Sequence, residues 1–149
     1  MTQDLLEVSQ TMDFSDKEEG IALNDRVLII DGMNTFIRSF AAIPTMDENG
    51  NHIGGVTGFL KSVGYVTRKF KPSRVYVIFD GKGGSKRRRD IYPDYKLGRK
   101  PLTRLNRTYD MTTEKDEQDL MRYELVIVAK ALMKLPITTI TLDHVEADD

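Results

Sequence analysis

Three short apolar runs punctuate the chain, and acidic residues follow each of them closely. Val27-Leu28-Ile29-Ile30 leads into Asp31-Gly32, and Val75-Tyr76-Val77-Ile78-Phe79 leads into Asp80-Gly81. Ile137-Thr138-Thr139-Ile140-Thr141-Leu142 is followed by Val145-Glu146-Ala147-Asp148-Asp149. Short β-branched runs separated by helical patterns read as parallel strands of an α/β unit, here at about 26–31, 74–79 and 137–142. Between the first two, Val56, Phe59, Leu60, Val63, Val66 and Phe70 recur at helical spacing, and Lys71-Pro72-Ser73 closes that helix. A shorter helix is predicted over 35–42, broken by Pro44, with a turn cluster over 47–51. The helix before the third strand starts with Thr112 or Thr113 as N-cap, carries Leu120, Tyr123, Ile127, Ala131 and Leu132, and stops at Leu135-Pro136. The strand–helix–strand crossover is expected to be right-handed.

Composition narrows the class without naming a chemistry. At 149 residues the chain suits one domain with a real core. No apolar run approaches a membrane span, and the acidic N-terminus lacks an apolar signal core. The absence of cysteine removes disulfides, thiolate metal sites and cysteine nucleophiles together, and it is compatible with a reducing cytoplasm. Two histidines, His52 and His144, leave little basis for a histidine-rich zinc site and read as surface or capping residues. A net charge of −1 hides strong segregation. Residues 82–107 carry ten Lys/Arg against Asp90 and Asp94, whereas residues 1–25 carry seven acids against Lys17. One basic block on a near-neutral chain points to an anionic partner met at one face, although a charge run is also what a solvated loop looks like. The block reads as a long loop with one short helix near 86–92, and residues 1–24 as an acidic flexible tail.

The strand ends carry the chemistry. Parallel strands align their carboxyl ends along one sheet edge, where α/β folds place their sites. Asp31, Asp80, Glu146, Asp148 and Asp149 would gather there and repel one another unless a cation neutralised them. Oxygen-only ligands favour Mg²⁺ or Mn²⁺, and the constellation reads as a metal-dependent phosphoryl-transfer site. Taken singly, Asp31 and Asp80 are equally N-cap candidates, and the last three acids a solvated terminus. A helix starting near Glu146 would set Glu146 and Asp149 on one face. Gly54-Gly55 leave room for an approaching DNA backbone, or serve simply as turn residues.

The string Asp31-Gly32-Met33-Asn34 with Arg38, then Phe79-Asp80-Gly81, then Tyr95-Lys96-Leu97-Gly98-Arg99, then Glu146-Ala147-Asp148-Asp149, keeps the order and approximate spacing of one family. Over 26–149 the chain resembles the phage and bacterial branch of the 5′-3′ exonuclease and flap endonuclease family. The resemblance implies a three-layer, PIN-like α/β fold with a central, mainly parallel sheet, here incomplete at the C-terminus. It makes Asp31 and Asp80 the first metal-site aspartates, and Glu146, Asp148 and Asp149 further ligands, direct or through water. A complete domain would hold two ions, one making hydroxide available and one stabilising the leaving oxygen. The resemblance further places Lys96 beside the scissile phosphate, with Arg99 and Arg38 on phosphates. Tyr95 would stack on an unpaired base or serve as a packing anchor. Lys86, Arg87, Arg88 and Arg89 would form the basic wall through which a 5′ strand enters, within a DNA-binding region over 82–107.

Family members continue past Glu-Ala-Asp-Asp with a helix, further strands, a second aspartate cluster and a helical DNA-gripping motif. The resemblance therefore implies the N-terminal portion of a nuclease acting on DNA or RNA–DNA 5′ ends or flaps in the bacterial or phage-infected cytoplasm. A second polypeptide completing the fold is one expectation, and one sheet face left uncovered is another. The alternatives are a nucleic-acid-binding remnant with an incomplete metal site and a single-domain ribonuclease of the same architecture. The long basic block argues against the ribonuclease.

Overall fold

The structure, a computed structural model, describes residues 25–99, 104–106, 109 and 113–149. The acidic segment 1–24, Thr112 and parts of the basic block (100–103, 107–108) lie outside the described residues. Three strands, β1 (Val27–Asp31), β2 (Arg74–Asp80) and β3 (Thr138–Leu142), pair in parallel in the order β1-β2-β3. Register matches Ile30 with Val77 across the first pair and Ile78 with Ile140 across the second. Helices α1 (Gly32–Ala42) and α2 (Gly54–Phe70) join β1 to β2, and α3 (Lys86–Ile91) and α4 (Glu114–Leu132) join β2 to β3.

Local chemistry sets most of these boundaries. α1 starts three residues earlier than apolar spacing predicts, because the Asp31 carboxylate caps it by accepting the Asn34 N–H at 2.9 Å. α2 ends on Lys71 in the left-handed conformation, with Pro72 next. α4 opens on a capping box in which Thr113 and Asp116 satisfy each other's backbone N–H. Its buried stripe differs from the predicted one. Glu117, Glu124, Val128 and Leu132 face inward, whereas Tyr123 is 54% exposed.

Phe36, Phe40, Phe59, Val63, Val128 and Leu132 form the core with Ile30, Val75 and Val77 of the sheet. Alternation along the strands sends their neighbours to the other face. There Ile29 and Leu142 are 60% and 55% exposed, as expected for a sheet face without a covering layer among the described residues.

Behind the core lies a buried polar cluster that the sequence did not announce. An Asp47-centred turn, with the carboxylate accepting from the Asn49 and Asn51 amides, returns the chain so that Met46 and His52 bridge. His52, predicted at the surface, is fully buried. Its Nδ1 lies 2.7 Å from Glu124 Oε1, while Glu124 Oε2 accepts the Val56 N–H at 2.9 Å. Its Nε2 lies 2.8 Å from Asn106 Nδ2 and 2.9 Å from the Ile43 carbonyl. Glu117 accepts the backbone N–H groups of Leu105 and Asn106, fastening that segment to α4. Buried polar groups of this kind persist because each finds a partner. Gly54 and Gly55 belong to this packing rather than to an open surface. A Cβ on Gly54 would stand 1.8 Å from the Ile43 carbonyl, and one on Gly55 2.6 Å from the Phe36 ring and 2.8 Å from Glu124 Oε2. Both glycines are buried, and this packing accounts for them.

Candidate active site

The carboxyl edge of the sheet collects the acids. Asp31 closes β1 and Asp80 closes β2, while Glu146, Asp148 and Asp149 follow β3 in a turn. Two short links draw that turn over β2. Asp80 Oδ1 accepts the Ala147 N–H at 2.8 Å, and Asp143 accepts the Lys82 N–H at 2.8 Å. Gly81 permits the approach, since a Cβ there would stand 2.1 Å from the Leu142 carbonyl oxygen. Residues 146–149 form a turn, with bonds from Asp149 N–H to the Glu146 carbonyl and from Glu146 N–H to Asp149 Oδ2. Glu146 and Asp149 still face the same way.

A cavity of about 400 Å³ lies above this edge, lined by Asp31, Asp80, Glu146, Asp148, Arg88, Tyr95, Lys96 and Arg99. Met33, Asn34 and Ile37 also line it and were missed. Their signal was present, for they sit on one face of the helix that Asp31 caps. Four of the predicted acids and four of the predicted cationic or aromatic residues thus meet in one place, with Asp149 immediately beside them. The others do not meet there. Arg38 is exposed in a separate groove between α1 and α2, beside Thr35, Gly58 and Lys61. Lys86 pairs with Asp90 at 2.7 Å on α3, and Arg87 and Arg89 are exposed and do not line the cavity, although the charge of Arg87 still acts on Asp149.

Electrostatics inside the cavity run differently from a simple acid cluster. Lys96 Nζ lies 2.6 Å from Glu146 Oε1. Tyr95 donates its hydroxyl to Glu146 Oε2 at 3.0 Å. Arg88 reaches in from α3 and lies 3.0 Å from Glu146, 2.7 Å from Asp148 and 2.7 Å from Asp149. Burial disfavours the Glu146 carboxylate, but hydrogen bonds from Lys96 and Tyr95 outweigh it and hold its pKa below the usual value. Hydrogen bonds from Arg88 do the same for Asp149. The Glu146 hydrogen bond raises the Lys96 pKa. Lys96 holds a φ of 63°, a conformation costly for a side-chain-bearing residue.

The donor set suits a hard divalent cation, being carboxylate oxygen throughout. Asp31 and Asp80 each commit only Oδ1 to a backbone amide. Among the described residues, however, no three acids are gathered around a common point able to hold a metal ion, and Arg88 and Lys96 pair with the carboxylates that follow β3.

A three-stranded parallel sheet with acidic and cationic residues gathered at its carboxyl edge defines an α/β unit with its candidate site at the strand ends. Residues 26–149 match the family described as 5′-3′ exonuclease, N-terminal resolvase-like domain, and the chain belongs to that family. It is 37% identical over 78 residues to the flap endonuclease Xni of a Shewanella species, covering 52% of this chain and 28% of that protein. With the 5′-3′ exonuclease of Bacillus subtilis it is 31% identical over 97 residues, covering 61% of this chain and 32% of that protein. The chain thus spans about a third of the length of these curated relatives. It shares its fold with the T5 5′-exonuclease solved with zinc ions, at a TM-score of 0.51 and 20% identity over 83% of this chain and 41% of the other. Among the described residues no helix is long and apolar enough to cross a membrane.

Proposed function

We propose that the chain is the N-terminal portion of a divalent-cation-dependent 5′-nuclease, with 26–149 as the catalytic segment and 82–107 as its nucleic-acid-facing region. It would hydrolyse phosphodiesters at the 5′ ends or flaps of DNA or RNA–DNA hybrids. The carrying observation is the single cavity that gathers Asp31, Asp80, Glu146 and Asp148 with Lys96 and Arg99 at the carboxyl edge of the sheet.

Asp31, Asp80 and Asp148, with Glu146 and Asp149, would hold Mg²⁺ or Mn²⁺, which supplies hydroxide near neutral pH and stabilises the leaving oxygen. Lys96 places positive charge where charge accumulates on the phosphate in the transition state. Arg99, exposed at the rim, offers a planar fork to a neighbouring phosphate. Tyr95 holds Glu146 and Arg88 in place. None of these groups reads a base, which suits selection of substrate by structure. Because the chain covers about a third of its relatives, the remainder of the domain would be supplied by further polypeptide, continuous or separate.

The test joins this chain to the C-terminal remainder of the family domain and follows a 5′-flap substrate with Mg²⁺. Asp80→Asn keeps the size of the side chain and an acceptor for the Ala147 N–H but removes the charge, and it is expected to abolish cleavage while preserving DNA binding. Full cleavage by Asp80→Asn refutes the assignment. Binding without cleavage by the unsubstituted protein would favour the nucleic-acid-binding alternative.

A further inference from the structure

Arg88 was expected in the basic wall of the opening through which a 5′ strand enters, and it spends its donors on acids. Nε and Nη2 both reach Asp149 Oδ1, at 2.9 and 2.7 Å, and Nη2 also lies 2.7 Å from Asp148 Oδ1. Nη1 donates to the Tyr95 hydroxyl at 2.8 Å and lies 3.0 Å from Glu146 Oε2. One guanidinium thus touches three of the five carboxylates assigned to the cation. Its side chain remains 27% exposed, so a solvent-borne anion can reach it.

The helix that carries Arg88 is weakly anchored. α3 is six residues long, buries none of them, and lacks a side-chain cap at Ser85. Its remaining cations, Lys86, Arg87 and Arg89, are exposed. Among the described residues, the Arg88 contacts with the acidic turn are the ion pairs that tie α3 to the rest of the fold.

We propose that Arg88 is a displaceable counter-ion that couples cation loading to nucleic acid binding. Resting on the cation-site reading above, the inference adds a rule of occupancy. A guanidinium and a divalent cation compete for the same oxygens of Glu146, Asp148 and Asp149. A phosphodiester offers the guanidinium an equivalent anionic, bidentate partner outside the cluster. Nucleic acid binding along α3 therefore draws Arg88 off the carboxylates and opens them to the cation. By linkage the cation tightens nucleic acid binding by the same factor.

The test is Mn²⁺ binding to the 149-residue chain, read from free Mn²⁺ by electron paramagnetic resonance with and without a single-stranded oligonucleotide, the oligonucleotide alone serving as blank. The oligonucleotide is expected to tighten Mn²⁺ binding about fivefold or more in the unsubstituted chain. Arg88→Gln is expected to bind Mn²⁺ about fivefold tighter without oligonucleotide and to gain less than about twofold from adding it. Arg122→Gln removes the same charge on the outer face of α4, where Arg122 pairs with Asp119, and is expected to match the unsubstituted chain. Arg88→Lys keeps charge without the fork and is expected to fall between, which decides the matter if Arg88→Gln does not fold by circular dichroism. Arg88→Gln binding no tighter than the unsubstituted chain overturns the proposal, as does an equal gain in Arg122→Gln or retained coupling in Arg88→Gln. No Mn²⁺ binding by any variant under either condition overturns the cation-site reading, and this inference with it.

Discussion

Replacing Glu124 with alanine removes two acceptors from an enclosed site. Oε1 sits 2.7 Å from His52 Nδ1, Oε2 receives the Val56 N–H at 2.9 Å, and the His52 and Glu124 side chains are both 0% exposed. Water has no ready access to the groups left behind. Each orphaned buried donor costs about 1–3 kcal/mol. Removing one partner of a buried charged or polar pair costs about 3–5 kcal/mol as a whole. The two routes agree on about 3–5 kcal/mol, a large share of the roughly 5–15 kcal/mol that holds an ordinary domain together. At about 3–5 °C per kcal/mol for a chain of this size, the melting temperature should fall by about 10–20 °C. Glu124→Gln is milder. Its carbonyl can keep the Val56 N–H, but its amide donates to Nδ1 and forces the proton onto Nε2, which then donates to the Ile43 carbonyl while Asn106 Nδ2 keeps the Phe40 carbonyl at 2.7 Å. Exchanging one hydrogen bond for another in this way costs about 1 kcal/mol. Urea unfolding at neutral pH, followed by far-ultraviolet circular dichroism with the slope checked for constancy, should give the order alanine, glutamine, unsubstituted. A cost below about 1 kcal/mol for Glu124→Ala would refute the claim that this cluster is closed to solvent.

Two further expectations concern the acidic edge. Gly81→Ala places a methyl 2.1 Å from the Leu142 carbonyl oxygen, which is backbone and cannot turn aside, so it should cost about 1–3 kcal/mol or more in urea unfolding and loosen the turn bearing Glu146. The pKa values of Glu146 and Asp149 are depressed in the folded state, so their contribution to stability is fully present above their unfolded values near pH 4 and is lost as pH falls through the folded ones. The urea midpoint should therefore fall below about pH 4, and Lys96→Gln should shrink that fall, whereas an unchanged acid limb would count against the pairing.

Local chemistry made much of the fold readable. Strand runs, the Asp47 turn and the Thr113 cap depend on residues within a few positions, so their signals sit close together. Asp31 was readable as a cap and as a site residue, and the structure gives it the capping bond and a place in the cavity lining at once. What escaped was long-range. His52 meets Glu124 across 72 positions, and nothing beside either residue announces the other. A trace did exist, because Glu117 and Glu124 share the helical stripe of Val128 and Leu132, and acids on an inward stripe require buried partners. The Arg88 placement was hidden for a different reason. Charge segregation says that a block is basic, not which arginine turns inward, and the turn at Glu146 holds a partner 58 positions away.

Gly55 has a consequence at the level of substitution. Its missing Cβ is the space that Glu124 Oε2 and the Phe36 ring occupy, and Gly54 likewise yields its space to the His52 ring. Positions 36, 52, 54, 55, 106 and 124 therefore behave as one character with many letters. A drifted relative that gains a side chain at 55 must shrink or neutralise 124, and once 124 changes, 52 and 106 lose the reason for their identities. Such sets tend to change together or not at all, so the six positions should covary as a block in an alignment, independently of the acids at the sheet edge.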